Sequence, residues 1–319
     1  MRRKLFAVLW LAILCSLTLV VTVNSGRAQR NEFESPNSSA PALIQPLTQP
    51  ENGDLDRSTV CALEPDKNPK PYSASTYRAL VEQNRGAWTL DRFRRSQAID
   101  FVPDGSQKTS ISDWLGNGYR PQEQIVTIDP TNYGDRFLHD INGNPVNQEP
   151  IVVLHETVGS AGSALNFFRT PHFRDADQAS YHVLIKLDGS VLYLVPPDKR
   201  AYGAGNSNFI GDKGQEAVKT HPRFPPSVNN FAYHISLETP RDGNNNAYRH
   251  SGYTTAQYQS LAWIVAKTGI PDHRITTHRA VDRSGQRMDP RSFNFPRFFQ
   301  LLQTFTKTNE IVPRCTVPS

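Results

Sequence analysis

Two histidines close apolar, strand-like segments of this chain. His155 ends Ile151-Val-Val-Leu-His155, and His278 ends Arg274-Ile-Thr-Thr-His278. Asp289 follows within HRAVDRSGQRMDP, and Ser284-Gly285 lets the intervening loop fold back. Strand ends project side chains at the rim of a sheet, where sites form. Two imidazoles and one carboxylate leave one tetrahedral position open, which suits a catalytic rather than a structural zinc ion. Such an ion lowers the pKa of its bound water from about 15.7 to about 7 and polarises a carbonyl. Thr157, two residues after His155, is expected to line the same site. Spacing alone is a weak signal, because nine histidines supply many chance pairs and an ordinary hydrogen-bonded role fits each of them.

The elements that must position this trio are legible from about residue 151 onward. Ile151 to His155 reads as a buried strand. Ser163 to Arg169 is a short helix. Tyr181 to Leu187 and Val191 to Val195 flank Asp188-Gly189-Ser190, a hairpin signal. Phe231 to Glu238 is a further strand, stopped by Pro240. Thr254 to Thr268 is the clearest helix, with Ala256, Leu261, Ile264 and Val265 at helical spacing, a threonine cap and Gly269 at its end. A last helix is expected over Ser292 to about Lys307, with Pro296 in its first turn. Earlier in the chain, Thr76 to Asn84 reads as a short helix and Gln124 to Ile128 as a short strand. Strands interleaved with helices imply an α/β fold, one mixed central β-sheet flanked by helices.

The 319 residues are 37% hydrophobic and 20% charged, too apolar for a disordered chain. No fixed repeat of solenoid or propeller length recurs. Arg2, Arg3 and Lys4, the uncharged run Leu5 to Val23, and Gly26 and Ala28 at a small-residue site read as a secretory signal over residues 1–28. An uncleaved membrane anchor is the alternative, since the run is about long enough to span a bilayer. Cleavage removes Arg2, Arg3, Lys4 and Arg27 with no acid and takes the formal charge from +5 to +1. The basic balance therefore belongs to the leader, and no basic stretch interleaved with aromatics remains to suggest nucleic acid. Residues 29–75, rich in Pro, Ser, Asn and Gln, read as a disordered linker. Residues 76–150 form an extension packed on a catalytic domain over 151–310, and 311–319 form a tail. Cys61 and Cys315 survive cleavage, and export permits a disulfide between them; two free thiols are the alternative. Neither has a CxxC or Cys–His neighbour that would suggest a metal or redox role.

Five segments in order resemble the zinc-dependent N-acetylmuramoyl-L-alanine amidases of the phage-lysozyme and peptidoglycan-recognition-protein superfamily. They are IVVLHET, YHVLIKLDGSVLYLVPPDKRAYGAGNS, NNFAYHISLE, the helix, and TTHRAVDRSGQRMDPRSF. The resemblance implies a mixed sheet, one Zn2+ and a substrate groove over the strand ends. By position, His155, His278 and Asp289 match the metal ligands. Glu238 matches an acid at the end of a central strand, expected to exchange protons with the attacking water and the leaving amine. Arg287 sits two residues before the ligand Asp, where it can stabilise an oxyanion as a fixed cation but not donate a proton. Tyr181 matches a tyrosine beside the metal. His182 alternates away from Tyr181 and is expected to be structural. In the RAYGAG segment Tyr202 is an expected substrate contact, whereas Gly203 stands where many relatives carry a substrate-contacting histidine. Residues 206–230 form an insertion where a groove wall is expected.

The resemblance thus implies hydrolysis of the amide between the lactyl group of N-acetylmuramic acid and L-alanine, in an exported, periplasmic or extracellular monomer acting on peptidoglycan or muropeptides. A membrane partner enters only through an uncleaved leader. The alternative is a non-catalytic peptidoglycan-recognition module, which would usually lack one metal residue. A zinc endopeptidase is disfavoured, because neither HExxH nor a His-x-His pair occurs.

Overall fold

Buried strands that carry side chains to one rim organise the computed structural model, which describes residues 44–46, 61–84, 88–95 and 118–315. The leader, 1–28, lies outside the described residues. The strands are β1 (Ile44–Pro46), β2 (Glu123–Val126), β3 (Tyr133–Asp135), β4 (Ile151–Glu156), β5 (Val183–Ile185), β6 (Val191–Tyr193), β7 (Lys199–Ala201), β8 (Phe209–Gly211), β9 (Gly214–Glu216), β10 (Ala232–Leu237) and β11 (Ile275–Thr277). The helices are α1 (Ala74–Gln83), α2 (Leu90–Phe93), α3 (Ala161–Arg169), α4 (Thr255–Ala266), α5 (His278–Val281) and α6 (Phe295–Leu302).

A seven-stranded sheet runs in the order β1-β2-β6-β5-β10-β4-β11. β5, β10, β4 and β11 are mutually parallel neighbours, β5 and β6 form the antiparallel hairpin, and β2 joins β6 in parallel. The sheet is therefore mixed and flanked by helices, as the interleaved pattern implies. The Asp188-Gly189 turn closes the hairpin with Gly189 at φ 86°, a conformation that favours glycine.

β4 and β10 are buried along their whole length, which is why their sequences run nearly uninterrupted in apolar residues. Alternation then sorts the side chains. Val152, Leu154, Tyr233, Ile235 and Leu237 face α4 and α6, packing with Leu261, Ile264, Phe298 and Leu302. On the other face, Leu184, Leu192 and Leu194 meet Ala161 and Phe168 of α3. There too Ile151, Val153 and Ala232 pack with Phe209, Val218 and Val228 from the 206–230 insertion. α4 begins on a capping box in which Thr254 and Gln257 exchange side chain to backbone hydrogen bonds. It is buried nearly all round, so its pattern is more than the one-faced helix that spacing suggests. α6 is shorter than expected, with Asn294 as its cap.

Order begins earlier than composition suggests. Within the stretch read as a disordered linker, Ala62 pairs with Phe137, and α1 starts at Ala74 on a Ser73 cap. Pro-rich composition marks a lack of periodicity, and tertiary contacts have overridden it here. The expected extension supplies β2 to the central sheet instead of only packing against it. Arg94 joins Glu123 through two 2.8 Å hydrogen bonds and Glu310 at 3.0 Å, which ties α2, β2 and the C-terminal end together. Ile311, in the expected tail, is buried.

Cys61 and Cys315 form a disulfide across a sequence separation of 254 residues. A cross-link over so long a loop restricts the unfolded chain strongly. Replacing both cysteines, as Cys61→Ser/Cys315→Ser, is expected to lower stability by about 2–4 kcal/mol. Urea titration of the oxidised wild type against the double variant measures this.

Candidate metal centre

The trio meets because β4 and β11 are parallel neighbours with Thr277 opposite Leu154. Their next residues, His155 and His278, therefore stand level at the carboxyl edge of the sheet. His155 shares its face with Val153, on the side away from α4. Thr277 caps α5 by accepting the Ala280 N–H, so His278 turns directly out of the strand. The loop to Asp289 folds over the Asp282 carboxylate, which accepts the N–H groups of Ser284, Gln286 and Arg287. The Arg279 N–H then donates to the Asp289 carbonyl at 3.0 Å.

Asp289 Oδ2 lies 3.2 Å from His155 Nδ1 and 3.1 Å from His278 Nδ1. One ligand atom from each of the three residues lies within 4.8 Å of the other two. A tetrahedral zinc ion with bonds of 2.0–2.2 Å needs ligand atoms about 3.3–3.6 Å apart, so the donor set fits in chemistry and the two carboxylate–imidazole distances are close to that spacing. Burial pushes the His155 imidazole down to about 4, against the upward pull of the Asp289 hydrogen bond. It is neutral at pH 7 and has a lone pair to offer. Burial alone would raise the Asp289 carboxyl, but hydrogen bonds from His155 and His278 outweigh it and hold the group well below the carboxylate range.

Tyr181 joins this group, with its ring centroid 4.7 Å from that of His155. Burial, then the charge of Asp289, pushes its hydroxyl well above the ordinary tyrosine range, so it stays protonated and able to donate. Arg287 is exposed at the rim, and its positive charge acts on both His155 and Tyr181. Thr157 sits at the rim too, but its hydroxyl is spent locally. It donates to the Gly159 carbonyl and accepts the Thr239 N–H at 3.0 Å.

Two expected residues have other partners. Both carboxylate oxygens of Glu238 accept backbone amides, Ala161 N–H at 2.8 Å and Leu187 N–H at 3.0 Å. The side chain ties the first turn of α3 to the hairpin, and neither oxygen is hydrogen-bonded to the trio. Tyr202 lies under the Arg200 guanidinium, and its hydroxyl fills the space that a side chain at Gly134 would take.

Several polar residues escaped the sequence reading. His234, in the middle of β10, brings Nδ1 to 2.9 Å from His155 Nε2. His182, expected on the face opposite Tyr181, stacks on His234 at 5.7 Å and an interplanar angle of 11°. The regular strand starts only at Val183, so alternation does not govern Tyr181: His182 keeps the face of Leu184, and Tyr181 packs on that face as well. Beneath them Arg136 is fully buried and donates to the carbonyls of Pro197, Asn230 and Ala232. Glu156 points to the other face of β4, where it accepts from Tyr253 Oη at 2.8 Å, His250 Nε2 at 2.9 Å and Arg291 Nε. Arg291 also donates to the carbonyls of Gly243, Asn245 and Ala247. This clamp ties the segment just after Asp289 to the strand that carries His155. A single sequence offers no sign of it, because the partners lie 94 to 135 residues apart.

A family model for N-acetylmuramoyl-L-alanine amidase matches residues 144–292. Two proteins of Salmonella typhimurium named 1,6-anhydro-N-acetylmuramyl-L-alanine amidase AmpD are similar, one 32% identical over 130 residues and the other 34% over 131. Each match takes in 39% of this chain and 58% of the relative, so the chain spans little more than half the length of the curated relatives it matches. Among solved structures, a selenomethionine derivative of AmpD is 25% identical over 59% of this chain and 98% of its own, with a TM-score of 0.40. AmpDh3 from Pseudomonas aeruginosa, solved in complex with an anhydromuramic pentapeptide, is 18% identical over 58% of this chain and 64% of its own, with a TM-score of 0.36.

Arg291→Met is expected to cost about 3–5 kcal/mol in a urea titration, because it leaves the buried Glu156 charge without its cation. Glu238→Gln keeps one acceptor and loses the other. It is expected to lower stability by about 1–3 kcal/mol while leaving the turnover of the folded protein within about threefold. A proton-transfer group would instead lose about 10²–10⁴-fold in rate, so paired melting and rate measurements separate the two roles.

Proposed function

We propose, for a chain whose residues 144–292 match a family model for N-acetylmuramoyl-L-alanine amidase, that it is a zinc-dependent hydrolase of the amide between the N-acetylmuramoyl lactyl group and L-alanine. Its substrate is peptidoglycan or the muropeptides shed from it. The observation that carries this reading is the convergence of His155, His278 and Asp289 with ligand atoms within 4.8 Å. The names of the Salmonella relatives support the bond cleaved.

His155, His278 and Asp289 would hold the Zn2+, which when bound supplies a water acidic enough to attack at neutral pH and a Lewis acid for the carbonyl. The protein's own groups do the rest. Tyr181 keeps its proton and can donate a hydrogen bond to the developing oxyanion. Arg287 adds a permanent positive charge at the exposed rim. The buried sheet edge excludes water from one side, while the rim stays open to a bulky glycopeptide. A domain that only binds peptidoglycan has no need of a complete ligand set, which makes that alternative the weaker reading.

Residues 29–319 incubated with purified peptidoglycan are expected to release stem peptides beginning at L-alanine, detected by mass spectrometry. Release should stop with a zinc chelator and be absent in Asp289→Ala, which should also carry no zinc. Cosedimentation with the sacculus without release would support the binding module instead.

A further inference from the structure

His234 is fully buried, and three features hold its ring. Gly203 leaves room for it: a Cβ at that position would lie 2.5 Å from His234 Nδ1. His182 stacks beneath it, and His182 Nδ1 accepts the His234 backbone N–H at 2.9 Å. His155 Nε2 meets its Nδ1 at 2.9 Å. Gly203 is also the position at which a histidine is missing from the RAYGAG segment. The imidazole that packs against Gly203 comes instead from β10 and is sealed from solvent.

The proton positions follow from the partners. His155 Nδ1 faces Asp289 and His278, so binding a metal there requires a lone pair on Nδ1 and the proton on Nε2. That N–H needs an acceptor, since an unpaired buried donor costs about 1–3 kcal/mol. His234 Nδ1 is the acceptor in place at 2.9 Å. Its own proton then sits on Nε2, which is buried without a hydrogen-bond partner. The unpaired donor is thus moved from the ligand ring to the supporting ring and no longer bears on which nitrogen of His155 faces the ion. His182 cannot take over, because its Nδ1 is occupied by the His234 N–H and its Nε2 lies 3.1 Å from the Lys199 carbonyl.

We infer that His234 is a positioning residue for the metal centre: it fixes His155 in the Nε2-protonated tautomer with Nδ1 aimed at the ion, and Gly203 exists to admit its ring. The inference rests on the zinc-site reading above but not on which bond is cleaved. Groups that orient a ligand histidine typically contribute about 10–100-fold to metal affinity.

Zn2+ affinity, read by competition with a chromophoric chelator, tests this in the purified protein. His234→Phe keeps the ring and removes the acceptor; it is expected to weaken Zn2+ binding about 10–100-fold. His234→Asn places an amide oxygen near the Nδ1 position and is expected to stay within about threefold of wild type. Wild-type affinity in His234→Phe, or equal losses in both variants, would overturn the inference. Nitrogen NMR of zinc-loaded wild type gives a reading that depends on no variant's folding. It should show His155 protonated at Nε2 and His234 unprotonated at Nδ1; the reverse pattern overturns the inference. A wild type that binds zinc with these tautomers yet releases no stem peptide would reject the amidase reading and leave this one standing. Stem-peptide release with unaltered zinc affinity in His234→Phe would do the opposite.

Discussion

Everything at the rim depends on holding one carboxylate against two imidazoles that arrive from different strands. Asp289 comes from a loop, and a loop alone cannot keep an oxygen within about 3 Å of two rings. The structure restrains it on both sides. Before it, the Asp282 carboxylate gathers three backbone amides and folds the loop back. After it, Arg291 is fastened to Glu156 in the interior. Neighbouring residues of β4 thus serve opposite faces, His155 toward the metal centre and Glu156 toward the clamp.

The layer behind the ligands is polar, which is unusual for the middle of a sheet. His155, His234 and His182 form a continuous buried chain of hydrogen bonds and stacked rings, with the Arg136 guanidinium 3.2 Å from His182 Nε2 at its end. Burial pushes the Arg136 guanidinium down to about 9, and backbone carbonyls rather than a carboxylate satisfy it. Burial likewise holds both His182 and His234 well below the ordinary histidine range. Neutral imidazoles cost less to bury than charged ones and offer directional acceptors, which an apolar layer could not supply.

The 206–230 insertion and the segments that precede the matched family region support this site. The 206–230 insertion buries Phe209, Val218 and Val228 under β4 and β10. Asn206 and Asn208 also exchange backbone hydrogen bonds with Arg283 and Val281, beside the loop that leads to Asp289. It therefore braces the loop to Asp289 as well as standing at its side. The N-terminal segment contributes β2, the Arg94 contacts and one half of the disulfide, so the sheet is completed by residues well before 151.

Local pattern was enough to determine the α/β class, the hairpin at Asp188-Gly189, the capped helix α4 and the strand ends bearing His155 and His278. Each of these rests on periodicity or on turn and cap chemistry confined to a few neighbouring residues. The resemblance of five ordered segments pointed to His155, His278 and Asp289 as candidate metal ligands. Only the tertiary structure showed which groups the Glu238 carboxylate engages, because its position at a strand end is equally suited to proton transfer and to anchoring a helix. Only the tertiary structure brought His234 to His155, since that contact depends on the parallel register of β10 against β4, with Ser236 opposite His155. The Glu156 clamp and the order of residues 61–75 were hidden for the same reason. Long-range pairings leave no period in the sequence, and a buried charge looks like a surface one until its partners are placed.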